Sequence, residues 1–95
     1  MMTELDPLLH SQLRLAIMSI LLSVDEADFV YLKSKTDATA GNLSIQLDKL
    51  SAAEYIQVTK TTEGNRPRSI CRITDTGRAA MATYVEALRS YLTGL

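Results

Sequence analysis

The chain is poor in the residues that form metal sites and disulfide bonds. Its 95 residues include one cysteine, Cys71, and one histidine, His10. A single cysteine cannot form a disulfide bond within the chain, and this usage is typical of the reducing cytoplasm, where we expect the protein to reside. One histidine and one cysteine are too few for a zinc cluster within a subunit. We therefore expect no metal and no cofactor.

Long apolar runs and the common catalytic arrangements are also missing. The apolar stretch over residues 13–24 is interrupted by Arg14 and is too short to cross a bilayer. Acidic residues, Glu4 and Asp6, stand where a signal peptide would carry positive charge. We find no glycine-rich phosphate loop and no nucleophile supported by a histidine. The sequence therefore predicts neither a membrane protein nor an enzyme.

The charge is small in total but unevenly distributed. The net charge is −1 at pH 7. Residues 1–37 carry three basic and six acidic side chains, whereas residues 54–72 carry four basic and two acidic ones. The total does not indicate nucleic acid, but the short basic stretch is a hint of it. The length is that of one domain, which we expect to span residues 1–95.

The middle of the chain has the pattern of a helix-turn-helix over about residues 28–53. Asp28 and Thr39 can cap two helices that run over about 29–35 and 40–53, with a tight turn between them. The narrow apolar stripe of the second helix consists of Leu43, Leu47 and Leu50. We interpret the acidic residues 25–28 before this motif as capping and solvated groups.

After residue 53 the apolar residues change from helical spacing to alternation, which predicts a two-stranded wing over about residues 55–74. Residues 55–60 and 69–74 alternate in polarity as strands do, and Cys71 takes an inward position typical of a small core residue. Residues 61–67 contain Gly64-Asn65 and a proline, which predicts a hairpin tip. The predicted fold is mainly α, in the α+β sense: a winged helix-turn-helix with three helices, a two-stranded β wing and a long C-terminal helix.

The first and last helices carry more apolar surface than one small core requires. Asp6 and Pro7 suit the start of a helix over about 7–22, and Thr74 or Asp75 can cap a helix over about 75–93. Because these helices are apolar on more than one side, we expect them to form a homodimer contact. The predicted contact residues are Leu8, Leu15, Met18, Leu22, Tyr84, Leu88, Tyr91 and Leu92.

Four segments, in order along the chain, resemble the small MarR-like winged-helix regulators. They are Leu5-Asp6-Pro7-Leu8-Leu9-His10-Ser11, Gly41-Asn42-Leu43-Ser44, Arg66-Pro67-Arg68-Ser69 and Thr74-Asp75-Thr76-Gly77-Arg78. The resemblance implies a transcriptional regulator that binds duplex DNA as a dimer. Ile45, Gln46 and Asp48 depart from it, because members often carry basic residues here in the recognition helix.

The side of the third helix opposite its leucines is the predicted DNA surface. Asn42 and Gln46 are four residues apart, and either amide can make a bidentate contact to adenine. Arg66 and Arg68 flank a proline that stiffens the wing tip, from which they can reach the minor groove or phosphates. The full predicted set is Thr39, Gly41, Asn42, Ser44, Gln46, Lys49, Arg66 and Arg68.

Three alternatives stay open at this point. The domain can instead bind a protein partner, with Ile45 as the anchor. An effector, whose existence the sequence does not decide, can occupy a pocket at the dimer contact lined by Met18, Tyr84 and Tyr91. Arg14 can contact phosphate or form an ion pair with an acid such as Asp25 or Glu26.

Overall fold

The computed structural model describes residues 4–94, which form four helices and one small antiparallel sheet. The helices are α1 (Gln12–Leu22), α2 (Phe29–Thr36), α3 (Ala40–Ala52) and α4 (Asp75–Thr93). The strands are β1 (Ala27–Asp28), β2 (Ile56–Glu63) and β3 (Arg66–Ile73), in the order β1-β3-β2. The predicted winged helix-turn-helix fold is confirmed. Within the described part, no helix is both long and apolar enough to cross a membrane.

The starts of α2 and α3 follow the predicted caps. An Asp28 carboxylate oxygen accepts a hydrogen bond from the backbone N–H of Tyr31 at 2.8 Å, and Thr39 Oγ1 accepts one from Asn42 N at 3.1 Å. Such side-chain caps satisfy backbone donors that the first helical turn leaves unpaired. Asp37 ends α2 in the left-handed conformation with φ of 56°. The tight turn between α2 and α3 is therefore set by local chemistry at both ends.

The first helix begins later than the sequence predicts. α1 starts at Gln12, whereas the prediction began at residue 7. Asp6 instead closes a separate turn, in which its carboxylate accepts from Leu8 N at 2.9 Å and its carbonyl accepts from His10 N at 2.8 Å. The hydroxyl of Tyr55 donates to the other Asp6 carboxylate oxygen at 2.6 Å. That bond ties the N-terminal segment to the residue before β2.

The wing is longer and more regular than predicted. Strand pairing continues to the Glu63–Arg66 pair, so the turn itself is only Gly64-Asn65. Gly64 has φ of 63°, a conformation that glycine adopts without steric cost. The prediction also missed β1, whose Ala27 and Asp28 pair with Cys71 and Ile70 of β3. A two-residue strand has no alternation that the sequence can reveal.

The core lies between the helices and the inner face of the sheet. The leucines of α3 are buried, and Cys71 is fully buried as predicted. Met18 is also fully buried and Tyr84 is 3% exposed, so both belong to the subunit's own core. Their assignment to a dimer contact, and to an effector pocket at that contact, is therefore wrong. The Tyr84 hydroxyl lies at hydrogen-bond distance, 2.9 Å, from His10 Nδ1.

Candidate nucleic-acid interface

The outer face of α3 is exposed and mainly polar. Its leucines point into the core, which turns the opposite side of the helix to solvent. Of the DNA contacts predicted on α3 or just before it, Gln46 is half-buried and the others are exposed. The exposed residues are Thr39, Gly41, Asn42, Ser44 and Lys49. Ile45 lies among them with 54% of its surface exposed. The helix thus presents short polar side chains and one apolar one.

A chain of hydrogen bonds joins α1 to this face. Arg14 Nε donates to the carbonyl of Leu8 at 2.6 Å, and Arg14 Nη1 donates to Gln46 Oε1. Gln46 Nε2 in turn donates to Asn42 Oδ1 at 2.9 Å. Within residues 4–94 Arg14 forms no salt bridge, so one of its two alternatives, an ion pair with Asp25 or Glu26, is wrong. The spacing of Asn42 and Gln46 predicts that the two amides share a face, but nothing in the sequence predicts their link to Arg14.

The wing is tied to the start of α2 by Arg68. Its Nη2 lies 2.7 Å from an Asp28 carboxylate oxygen, and its Nη1 pairs with Glu63. The N–H of Tyr31, followed by the Arg68 guanidinium, lowers the pKa of Asp28, and the two carboxylates raise the pKa of Arg68. The expectation that Arg68 extends from a hairpin tip is therefore corrected. It lies within β3 and its charge is compensated inside the protein.

The remaining basic side chains of the wing divide into two kinds. Arg72 is paired with Glu26 at 2.5 Å, so the acidic residues before α2 do more than cap and solvate. Lys60 and Arg66 are exposed and form no salt bridge within the described residues. Among the basic side chains of the wing, Lys60 and Arg66 therefore keep charge that no described residue compensates.

Comparison with known proteins identifies the family. Residues 13–92 match the winged helix DNA-binding domain family. The chain belongs to this family. The resemblance to winged-helix regulators is thereby confirmed, and the domain is a DNA-binding regulator of transcription and not an enzyme.

Proteins and solved structures similar to this winged-helix domain come from three organisms. An uncharacterized protein of Methanocaldococcus jannaschii is 33% identical over 76 residues, which cover 80% of this chain and 83% of that protein. The transcriptional regulator homologue of Pyrococcus horikoshii OT3 superposes with a TM-score of 0.84 at 29% identity, covering 92% of this chain and 86% of that one. Bacillus subtilis PadR, solved in complex with operator DNA, superposes with a TM-score of 0.70 at 19% identity. That match covers 79% of this chain and 47% of PadR and shows the fold alone.

The predicted dimer residues of the winged-helix domain differ widely in exposure. Leu22 is 39% exposed and Leu92 is 78% exposed. Val85 of α4, which the predicted set lacks, is 46% exposed. The members that are half-buried within the subunit are Leu8, Leu15, Leu88 and Tyr91. On the first and last helices, the apolar side chains available to a partner thus lie at the end of α1 and along the outer side of α4.

Proposed function

We propose that this single domain, spanning residues 1–95, binds duplex DNA as a homodimer and places α3 in the major groove. The observation that carries the proposal is the exposed polar face of α3 in a chain of the winged helix DNA-binding family. The major groove of B-DNA accepts an α-helix, and N-terminal residues of a recognition helix contact base edges. Asn42 and Gln46 are the proposed base readers. Thr39, Ser44 and Lys49 are proposed to contact phosphates. Gly41 lets the backbone of α3 approach the duplex. A DNA-binding function implies that the protein is located in the cytoplasm.

In this proposal the two arginines of the wing have different roles. Arg66, exposed and without a salt bridge in the described residues, contacts the phosphate backbone. Arg68 holds the wing against α2 through Asp28 and does not itself neutralise a phosphate. The PadR–operator complex supports a DNA-binding use of this architecture.

Salt-dependent DNA binding tests the proposal. We expect Arg66→Ala to weaken binding to a random duplex pool and to reduce the slope of log K against log salt by about 0.9 per subunit, because one phosphate contact is lost. Arg89→Ala removes a charge from the far end of α4 and serves as the matched control. An unchanged slope for Arg66→Ala would contradict the wing contact, and no measurable DNA affinity in the wild type would contradict the function.

The dimer is proposed to form through the exposed apolar side chains of α1 and α4. Leu22, Val85 and Leu92 are the most exposed of these. A second copy would cover them, which a domain this small favours because its own core is limited. Two α3 helices would then occupy successive major grooves of a pseudo-palindromic site.

Binding of a protein partner is the second candidate, because two apolar side chains are exposed near the proposed DNA face. Val30 at the start of α2 is 74% exposed and Ile45 is 54% exposed. Ile45→Lys distinguishes the two functions. If α3 faces DNA, the added charge should tighten DNA binding and steepen its salt dependence. If Ile45 anchors a protein, DNA affinity should stay undetectable in both forms.

A further inference from the structure

Three arginines of β3 share the outer face of the wing with three carboxylates. Successive side chains of a strand point to opposite faces, so residues two apart along β3 lie on the same side of the sheet. The charged side chains of this face are Arg66, Arg68, Arg72, Glu26, Asp28 and Glu63. If each arginine paired with one carboxylate, this face would keep no positive charge for phosphate.

The observed pairing is not one to one, because Arg68 takes two of the carboxylates. Its Nη2 lies 2.7 Å from an Asp28 oxygen, and its Nη1 pairs with Glu63. A guanidinium carries several N–H donors in a planar fork, so it can hold two acceptors at once. The residue directly opposite Glu63 in the sheet is Arg66, so Glu63 pairs with its diagonal neighbour instead. Arg66 forms no salt bridge within the described residues.

Removal of Arg68 would leave Arg66 as the nearest cation to Glu63. Directly opposite residues of an antiparallel pair have Cβ atoms about 4.5–5.5 Å apart, whereas diagonal neighbours lie about 7–8 Å apart. Opposite charges in a cross-strand pair attract each other, and the Glu63 side chain, which is 70% exposed, has room to turn. A carboxylate paired with Arg66 would compensate its charge and repel a phosphate placed beside it.

We propose, on the basis of the DNA-binding function proposed above, that Arg68 is a positioning residue that holds the Glu63 carboxylate away from Arg66. Arg66 thereby stays available for phosphate, and Arg68 need not touch DNA for this effect. Asp28 fixes Arg68 at the start of α2. The charge at the wing tip thus depends on the contact between the wing and the helix-turn-helix.

The test measures how much affinity for a random duplex pool is lost on Arg66→Ala in four backgrounds. The first is the wild type. The second carries Asp28→Asn with Arg68→Met, which removes the anchored pair, leaves the net charge unchanged and keeps a side chain that can cap α2. The third adds Glu63→Gln to the second. The fourth adds Glu86→Gln instead, which removes the same charge from an exposed position on α4 and is the matched control.

In the wild type we expect Arg66→Ala to weaken DNA binding about tenfold, because one charge-assisted contact is lost. In the Asp28→Asn/Arg68→Met background this loss should shrink to about twofold, since Glu63 already compensates Arg66 there. Adding Glu63→Gln should restore the tenfold loss, whereas adding Glu86→Gln should not. If Arg68 only stabilised the wing, Glu63→Gln would bring no such recovery.

The outcomes separate this role from the DNA-binding function. Equal losses in all four backgrounds would refute the role of Arg68 and leave DNA binding standing. A wild type without measurable DNA affinity would contradict the proposed function, and NMR of the DNA-free protein then decides the pairing. In the Asp28→Asn/Arg68→Met background the Nε–H signal of Arg66 should shift and exchange more slowly with water, and Glu63→Gln should reverse both changes. An Arg66 signal that is the same in all backgrounds would refute the pairing.

A second variant covers loss of folding in the Asp28→Asn/Arg68→Met protein. Arg68→Gln keeps a donor for Asp28 and removes the positive charge that holds Glu63. The loss on Arg66→Ala should shrink in this background as well, and Glu63→Gln should again restore it. A tenfold loss that Arg68→Gln leaves unchanged would overturn the proposal.

Discussion

Replacing Gly77 by alanine should strongly destabilise the domain by separating α4 from the start of the wing. A Cβ at this position would lie 2.1 Å from the carbonyl oxygen of Tyr55, 2.9 Å from its carbonyl carbon and 3.0 Å from Ile73 Cγ1. Ordinary contacts between carbon and oxygen begin at about 3.3 Å. Since the atom in the way is backbone, the start of α4 has to move by about 1 Å. Space, and not the backbone conformation of Gly77, makes glycine necessary here.

The cost can be worked out from the contacts that this movement breaks. Overpacking of a well-packed site costs about 1–3 kcal/mol. Tyr55 O also accepts a hydrogen bond from Thr74 N at 3.1 Å, and Thr74 Oγ1 caps α4 by accepting from Gly77 N at 2.9 Å. Each of these is worth about 1 kcal/mol. The better helix propensity of alanine offsets less than about 1 kcal/mol of this destabilisation. We expect a net loss of about 3 kcal/mol, which for a domain of this size lowers Tm by roughly 10–25 °C.

Urea denaturation, monitored by circular dichroism, measures this loss in the free energy of unfolding. Gly41→Ala is the matched control. A Cβ at Gly41 would meet nothing within 4 Å, so that variant should keep the wild-type free energy of unfolding within about 1 kcal/mol. If the free energy of unfolding of Gly77→Ala also lies within about 1 kcal/mol of the wild-type value, the close packing of α4 on Tyr55 is refuted. The control has a second use, because its DNA affinity tests whether the backbone at Gly41 approaches the duplex.

Two further perturbations test the subunit contact and the core. Leu92→Glu should give monomers in sedimentation velocity without disturbing the subunit's own core, because Leu92 is 78% exposed; a variant that stays dimeric would place the contact elsewhere. Leu88→Glu is less informative, since Leu88 packs against the subunit's own core. Burial, with a smaller effect of the Asp28 carboxylate, raises the pKa of the Cys71 thiol to about 11. Folding therefore favours the neutral thiol, and its stabilisation is complete below the unfolded pKa of about 8.5 and lost as pH rises to about 11. The free energy of unfolding should fall more steeply with pH over this range in the wild type than in Cys71→Ala, by at most about 1.4 kcal/mol per pH unit; equal slopes would contradict burial of the thiol.

The features predicted well from sequence are those that local chemistry determines. Asp28 and Thr39 cap helices through hydrogen bonds to residues three positions later, so the signal lies within one turn. The leucine stripe of α3 likewise reports its buried face through spacing alone. The assignment of Met18 and Tyr84 to the dimer contact was wrong because periodicity identifies apolar positions on a helix. It does not show whether the subunit's own core or a partner subunit covers them. The Arg14 chain was not predictable, since its Gln46 partner is 32 residues away.

Salt bridges join the basic stretch of residues 54–72 to the acidic residues within 25–28. The two segments are separate in the sequence but form one structural unit. Arg68 pairs with Asp28 and Arg72 pairs with Glu26, so two of the four basic side chains in residues 54–72 are compensated by the segment before α2. The charge left for phosphate on the wing is that of Lys60 and Arg66. Since each phosphate contact contributes about 0.9 to the salt slope, a wing that uses two such charges contributes at most about 2 per subunit. A much steeper dependence would require phosphate contacts by Lys49 or by the backbone at the start of α3, so the measured slope reports how far binding relies on the helix.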